Sequence, residues 1–199
     1  MNKKIIGLVG LVLIGFASCR FIKPKSNSES MPFSPTALPQ DPSLSVYFNQ
    51  SIASSYSEPY RQVTRPGDDL EQQIVESINS ARSSVDVAVE EFRLPRIAQA
   101  LVHRHRSGIK VCLIVENTYN RPLNLSAPEL AALSSRERDR YAELVHLASV
   151  SGDALTIVRS AGIPAIDDTA DGSKGSGLMH HKFIVIDGKG VAQLWYAER

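Results

Sequence analysis

The alternation of hydrophobic and polar residues predicts helices and strands from residue 45 onward. In segment 68–83 the apolar positions fall on one helical face: Leu70, Ile74, Ile78 and Ala81. Asp68, with Glu71 three positions later, predicts a capping box at the start of this helix. Segment 84–92, SVDVAVEEF, alternates with a period of two, which is typical of a strand.

A second helix and strand follow at once. Segment 94–108 is amphipathic and ends at Gly108, a natural helix stop. Segment 109–117, IKVCLIVEN, is a more continuous apolar run, as in a sheet that is buried on both faces. Cys112 within it is expected to be a small core residue. The order strand, helix, strand predicts a right-handed βαβ crossover.

The rest of the chain continues the alternation. One long helix is predicted over 127–150, capped by Ser126 with Glu129 at the right offset. Three more strands are predicted, over 45–51, 154–162 and 180–187. A polar loop over 163–177 precedes the last of them. The pattern indicates an α/β fold with a mixed or parallel sheet.

The first forty-five residues have a different character. An uninterrupted run of thirteen apolar residues, Ile5 to Ala17, follows the basic start MNKK and leads into Cys19. The run has the length of a secretory h-region and is short for a bilayer span. We predict a signal peptide over 1–19, of lipoprotein type with Cys19 lipidated; a plain secretory signal or an uncleaved anchor are the alternatives. Residues 20–45 are rich in Ser and Pro, which predicts a flexible linker before a domain over 46–199.

Composition narrows the function classes only a little. The chain has 199 residues, is 43% hydrophobic and carries a formal net charge of +1. A globular core is therefore expected, without a strong field toward nucleic acid. The two cysteines, Cys19 and Cys112, indicate neither a disulfide framework nor a zinc site.

The candidate chemistry lies in the last predicted strand, HHKFIVID. On a strand, His180 and Lys182 share a face and lie roughly 6–7 Å apart. An imidazole serves as nucleophile or proton carrier near neutral pH, and an ammonium group is a fixed positive charge, so the pair suits a phosphate. His181 and Asp187 are expected on the other face, with Asp187 at the strand end, placed to pair with a basic group or to orient a histidine.

The spacing His180-x-Lys182-x-x-x-x-Asp187 resembles the HxKxxxxD motif of the phospholipase D superfamily. The flanking GLMHHKFIVIDGK and the βαβ unit upstream are also similar to that family, over roughly residues 46–189. The resemblance implies a phospholipase D-like α-β-α sandwich half with a mixed central sheet. It implies a phosphoric diester hydrolase that works through a phosphohistidine without metal or other cofactor. His180 would be the nucleophile or the general acid, Lys182 would bind phosphate oxygens, and Asp187 would support the site indirectly.

The resemblance also implies that a complete site takes two such motifs. This sequence has one, so a homodimer or a second half on a longer chain would complete the site. The family pattern places Gly-Ser and then Asn after the aspartate, where this sequence has Leu194 and Trp195. A truncated or frame-shifted form of a two-motif enzyme is therefore expected.

Three functions follow from these features. The first is hydrolysis of a phosphodiester, with phospholipid favoured because export and a membrane tether through Cys19 would place the site beside lipid. The protein is then expected outside the cytoplasm, as a membrane-anchored lipoprotein or as a periplasmic or extracellular protein. The alternatives are a single-motif endonuclease that cleaves nucleic acid, and a truncated non-catalytic remnant.

Further signals come from charged residues near the predicted site. The aspartates of loop 163–177 fail the spacing of a calcium loop at two positions, which rejects that interpretation. Lys174 in this loop is either a second phosphate contact or part of a solvated surface. Glu90 and Glu91 end a strand at the carboxyl edge of the sheet, where α/β sites form. They are either close to the pocket or ordinary surface carboxylates.

Overall fold

The computed structural model describes residues 41, 43–172 and 177–193, and within them the chain is a mixed α/β protein. Its strands are β1 (Ser55–Ser57), β2 (Thr64–Pro66), β3 (Ser84–Val89), β4 (Lys110–Val115), β5 (Ala165–Asp167), β6 (Lys182–Ile186) and β7 (Gly190–Gln193). Its helices are α1 (Leu70–Ser80), α2 (Pro95–Arg106), α3 (Ala127–Ala132), α4 (Ser135–Ser151) and α5 (Ala154–Ser160), with one 3-10 turn at Asn117–Tyr119.

The main sheet has five strands in the order β5-β4-β3-β6-β7. Strands β3, β4 and β5 are parallel, whereas β6 runs antiparallel to β3 and β7 runs antiparallel to β6. The predicted mixed sheet is thus confirmed, and β3, α2 and β4 form a parallel βαβ unit. Strands β1 and β2 form a separate antiparallel pair.

The hydrophobic core lies between the main sheet and helices α1, α2 and α5. Alternate residues of β3 and β4 point into it, and so does Ile184 of β6. The largest fully buried side chains include Ile78, Leu101, Leu113 and Leu155. Each aliphatic side chain of this size stabilises the fold by about 1.5–3 kcal/mol when it leaves water.

The opposite face of the sheet is only partly covered by the residues that the structure describes. Val111, Leu113 and Val115 of β4 are buried, but Ile114 is 36% exposed and Cys112 is half-buried with a free thiol. The prediction that this strand is buried on both faces, with Cys112 in the core, was therefore wrong for the described part of the chain. An apolar run shows that both faces of a strand can be buried, but it does not show that a second layer of the protein covers the second face.

Local capping explains two corrections to the predicted helices. The long helix over 127–150 is two helices, because Ser134 begins a second one and forms its own capping box with Glu137. The first helix is capped by Asp69, whose side chain accepts from the Gln72 amide. Asp68, the predicted cap, instead accepts hydrogen bonds from the Phe48 amide and the Ser54 hydroxyl.

Three short segments also differ from prediction. Residues 154–162 were expected to form a strand but contain helix α5, whose cap Asp153 accepts from the Thr156 amide. A β-branched run and a local cap compete here, and the cap decides the outcome. Segment 45–51 forms no strand, and the predicted loop 163–177 contains β5.

Several predictions fall outside the described residues. They concern the signal peptide over 1–19, most of the linker over 20–45, Lys174, and the residues Leu194 and Trp195. Within the described part of the chain, no helix combines the length and the apolar character that crossing a bilayer requires.

Candidate active site at the carboxyl end of β3

The pairing of β6 with β3 decides where the predicted catalytic residues lie. Lys182, the first residue of β6, pairs with Val89, the last residue of β3. The pairing continues one residue further, because the Glu90 amide donates to the His181 carbonyl. His180 and Lys182 therefore lie beside the carboxyl end of β3, and α/β proteins build their sites at the carboxyl ends of the parallel strands.

Glu90 brings the predicted pair together. The Lys182 Nζ donates to Glu90 Oε2 at 2.6 Å, and His180 Nε2 lies 3.1 Å from the same oxygen. The Glu90 side chain is only 16% exposed and Lys182 is 27% exposed, whereas His180 is 66% exposed. The imidazole is therefore open to an incoming ligand, while the ammonium group sits deeper against a carboxylate.

A second carboxylate, Glu91, faces two arginines beside this pair. Glu91 accepts from Arg93 at 3.1 Å and from Arg140 of α4 at 2.6 Å. Burial, and then the charges of Glu91 and Glu90, raise the pKa of the Tyr119 hydroxyl above its ordinary value. The Tyr119 phenol thus lies in the field of both carboxylates and keeps its proton at neutral pH.

Arg93 joins the loops that frame this edge of the sheet. Besides Glu91, its guanidinium donates to the carbonyls of Arg121 and Tyr119, and it lies 4.0 Å from Asp153 at the start of α5. Its side chain is 9% exposed. A buried guanidinium with this many acceptors fixes the loop after β3 against the loop after β4.

Asp187 lies far from His180 and Lys182. It is five residues along from Lys182, which corresponds to about 16 Å at the rise of a strand. Its carboxylate accepts from the amides of Arg82, Ser83 and Ser84, and also from the Ser83 hydroxyl. These donors hold the pKa of Asp187 well below its usual range.

The backbone at Asp187 is also unusual, with a φ of 54° that L residues other than Asn and Asp rarely adopt. The Asp187 amide donates to the Ser84 carbonyl, so both ends of the residue bind the segment that enters β3. Asp187 thus anchors β6 to the start of β3 and does not pair with a basic side chain or a histidine in the described structure.

The neighbouring histidine, His181, points away from the pair. The His181 ring meets the Phe183 ring edge-on, with centroids 5.7 Å apart. Both residues alternate with His180 and Lys182, as strand parity predicts. His181 therefore shares the residue type and the exposure of His180, but its imidazole does not share the contact with the Glu90 carboxylate.

The arrangement can bind and attack an anion. Among the described residues Lys182 Nζ donates to Glu90 alone, so two further N–H groups can bind ligand oxygens, and the exposed imidazole can act as a nucleophile or proton carrier. Within the described residues, no group of three or more His, Cys, Asp or Glu side chains is placed to hold a metal ion. The sequence left Glu90 either close to the pocket or on the open surface, and its place at the end of β3 was the signal for the first position.

Comparison with known proteins places these features in a family. A family model described as "Cardiolipin synthase, PLD-like domain" matches residues 74–193. Mitochondrial cardiolipin hydrolases of Xenopus laevis and Xenopus tropicalis are each 30% identical to the chain over 108 residues. That stretch is 54% of this chain and 36% of either relative, so the match spans about a third of their length.

Two solved structures are also similar. One is a phospholipase D family member, Nuc from Salmonella typhimurium, with 21% identity and a TM-score of 0.38 over 58% of this chain and 56% of that chain. The other is NucT from Helicobacter pylori, with 23% identity and a TM-score of 0.38 over 69% of each chain.

Proposed function

Because the chain belongs to the PLD-like family whose model covers residues 74–193, we propose that it is a phosphodiesterase with its site at His180 and Lys182. The observation that carries the proposal is the contact of both side chains with Glu90 Oε2 at the carboxyl end of β3. The imidazole and the ammonium group lie against one carboxylate oxygen, so both can reach a single phosphate group.

The reaction takes two steps. A nitrogen of His180 attacks phosphorus, a phosphorus–nitrogen bond forms, and the bond to the leaving alcohol breaks as that oxygen takes up a proton. Water then attacks the phosphorus of the phosphohistidine and gives a proton to the group that protonated the leaving alcohol; the phosphorus–nitrogen bond breaks, and the imidazole is restored. Lys182 stabilises the negative charge that builds on the non-bridging oxygens in both steps.

The proton for the leaving alcohol needs a second acid. The sequence contains one His-x-Lys motif, so a second copy of this chain or a second half on a longer chain would supply the other imidazole. In a homodimer the two-fold axis would set two copies of His180 facing one phosphate. We favour the homodimer, since it needs no residue beyond those in this sequence.

The favoured substrate is a phospholipid. Two relatives carry the name mitochondrial cardiolipin hydrolase, and the apolar run before Cys19 supports a position beside a membrane. The formal net charge of +1 does not favour a nucleic-acid substrate, whose backbone attracts strongly basic surfaces. Phosphatidylcholine or cardiolipin vesicles assayed beside single-stranded DNA decide between the two classes.

Turnover of bis(p-nitrophenyl) phosphate tests the activity itself. We expect the wild-type chain to release nitrophenolate and His180→Ala to lose at least about 10³-fold, because loss of a nucleophile removes the covalent route. His181→Ala is the matched control, since it removes an exposed imidazole one residue away that does not contact Glu90. Equal rates for wild type and His180→Ala would contradict the proposal and would favour the alternative that the chain is a non-catalytic remnant.

Subunit mixing tests the shared site. An equal amount of His180→Ala chain, after subunit exchange, should lower the activity of a fixed amount of wild-type chain to about half, because random pairing then leaves about half of the wild-type chains in dimers with two copies of His180. A site that is complete within each subunit would leave the activity unchanged. Full activity of a wild-type monomer, measured by sedimentation at the assay concentration, would refute the homodimer.

We further propose that the chain is exported and tethered through a lipid on Cys19. The basic start, the apolar run Ile5 to Ala17 and the small residues before Cys19 support this. Expression in a bacterial host should place wild type in the membrane fraction with the first eighteen residues removed, as read by mass spectrometry. Cys19→Ala should keep its leader or be released, and an unmodified mature Cys19 would contradict the tether.

A further inference from the structure

The carboxylate of Glu90 sits where a phosphate oxygen would be expected to bind. Its Oε2 contacts the Lys182 ammonium at 2.6 Å and lies 3.1 Å from His180 Nε2. These are the two groups to which the proposed function assigns the substrate phosphate. A ligand bound through the remaining N–H groups of Lys182 therefore lies beside a negative charge that belongs to the protein.

The charge balance at this place is close to neutral. Lys182 contributes one positive charge and Glu90 cancels it, and next to them the carboxylates of Glu91 and Asp153 balance the charges of Arg93 and Arg140. Both members of the Glu90–Lys182 pair are less than a third exposed, so water screens their charges less than at an open surface. The side of the ligand that faces Glu90 is better occupied by an esterified oxygen than by a charged one.

We propose that Glu90 is a specificity-determining residue that makes this site accept phosphodiester monoanions and reject phosphomonoester dianions. The inference rests on the proposed function, because it concerns the same anion. In wild type the second negative charge of a monoester gains no net electrostatic attraction, since repulsion by Glu90 offsets the attraction of Lys182. That charge still loses its hydration on binding, so the dianion is the poorer ligand.

Two ligands of matched shape test this proposal. Dimethyl phosphate is a monoanion, and methyl phosphate is a dianion at pH 8, above the second phosphate pKa of about 6. We would measure both dissociation constants by NMR titration at fixed ionic strength, for wild type and for Glu90→Gln. The amide keeps the size of the side chain and removes its charge.

The expected result is a change in the ratio of the two constants. Glu90→Gln should bind methyl phosphate about tenfold more tightly relative to dimethyl phosphate than wild type does, which is a modest value because salt screens a partly exposed pair. Glu90→Asp keeps the charge and should stay close to the wild-type ratio. Glu143→Gln, the same chemical change at a 68% exposed position on α4, should leave the ratio unaltered.

Several outcomes would overturn the inference. These are an unchanged ratio in Glu90→Gln, the same change in Glu143→Gln, or a Glu90→Asp chain that behaves like Glu90→Gln. If either ester still binds to Lys182→Met, the ligand binds at another place. If both esters bind only to Glu90→Gln, Glu90 blocks ligand binding in wild type and does not select between the esters. No binding of either ester to any of these chains would also overturn it. Circular dichroism of each variant shows that a change does not reflect unfolding.

The test does not depend on turnover. The proposed function is decided by nitrophenolate release and its loss in His180→Ala, whereas the selectivity is decided by a ratio of equilibrium constants. A chain that binds the esters with the expected ratio but hydrolyses nothing would refute the former and keep the latter.

Discussion

Replacement of Arg93 by methionine should destabilise the fold far more than any other single change among the charged residues at the carboxyl end of β3. The methionine keeps most of the apolar stem and removes the guanidinium. Four contacts are lost together: Glu91 at 3.1 Å, the Arg121 carbonyl at 2.9 Å, the Tyr119 carbonyl at 3.3 Å and Asp153 at 4.0 Å.

The magnitude follows from the burial of these groups. Removal of one partner from a buried ion pair costs about 3–5 kcal/mol, because the other charge remains without compensation. Glu91 keeps Arg140 as a partner, but the Asp153 side chain is 14% exposed, and its Oδ2, which faces Arg93 at 4.0 Å, accepts no hydrogen bond from the described residues. We therefore expect the lower end of the range, about 3 kcal/mol for Arg93→Met.

Urea unfolding followed by circular dichroism measures this loss. With a slope of about 2 kcal/mol per molar urea, 3 kcal/mol lowers the midpoint by about 1.5 M. Arg140→Met is the matched control, since it removes the other arginine of Glu91 from a 57% exposed position and should cost no more than about 1 kcal/mol. Equal losses for the two variants, or a loss below about 1 kcal/mol for Arg93→Met, would refute the reasoning.

Three further outcomes are expected. Lys182→Met should lower kcat for an aryl phosphodiester by about 10²–10³-fold, as loss of one oxyanion-stabilising group does, whereas Lys189→Met at the exposed turn should stay within about twofold; equal rates would remove Lys182 from the site. Asp187→Asn, which keeps the shape and tolerates a positive φ, should be less stable than wild type at pH 6. Because the folded-state pKa of Asp187 is depressed, this difference should shrink as the pH falls below the unfolded carboxyl value of about 3.9, and a difference that is constant with pH would contradict it. Leu101→Ala should cost about 2–5 kcal/mol in urea unfolding because the side chain is fully buried, against less than about 1 kcal/mol for the partly exposed Leu94→Ala.

Regular, strongly periodic segments were predictable from the sequence. Helix α1, strand β3, helix α2 and strand β4 follow the predicted order, and α2 ends before Gly108 with its φ of 84°. Each of these elements buries one face, so the period of its apolar residues reports directly on its backbone. The segment of α5 failed because its apolar residues are too few to show a period, and the Asp153 cap decided its conformation.

The site was predictable in part for a related reason. Parity along a strand places His180 and Lys182 together, which needs no knowledge of the rest of the fold. The partner of both residues, Glu90, lies ninety residues or more before them, and only the pairing of Val89 with Lys182 brings it there. Asp187 belongs to the same motif by spacing, yet its ligands are the amides of Arg82, Ser83 and Ser84 at the other end of the strands.

The sequence by itself determined the class of chemistry: an imidazole and an ammonium group two residues apart on a strand, in a chain whose apolar periods build a mixed α/β core. The tertiary structure alone decided the charge of that site, by adding the Glu90 carboxylate to it and by holding Asp187 away from it. The physical reason is range. Backbone periodicity and strand parity act between neighbours in the chain, whereas charge balance depends on which distant residues the sheet register brings within a few ångströms.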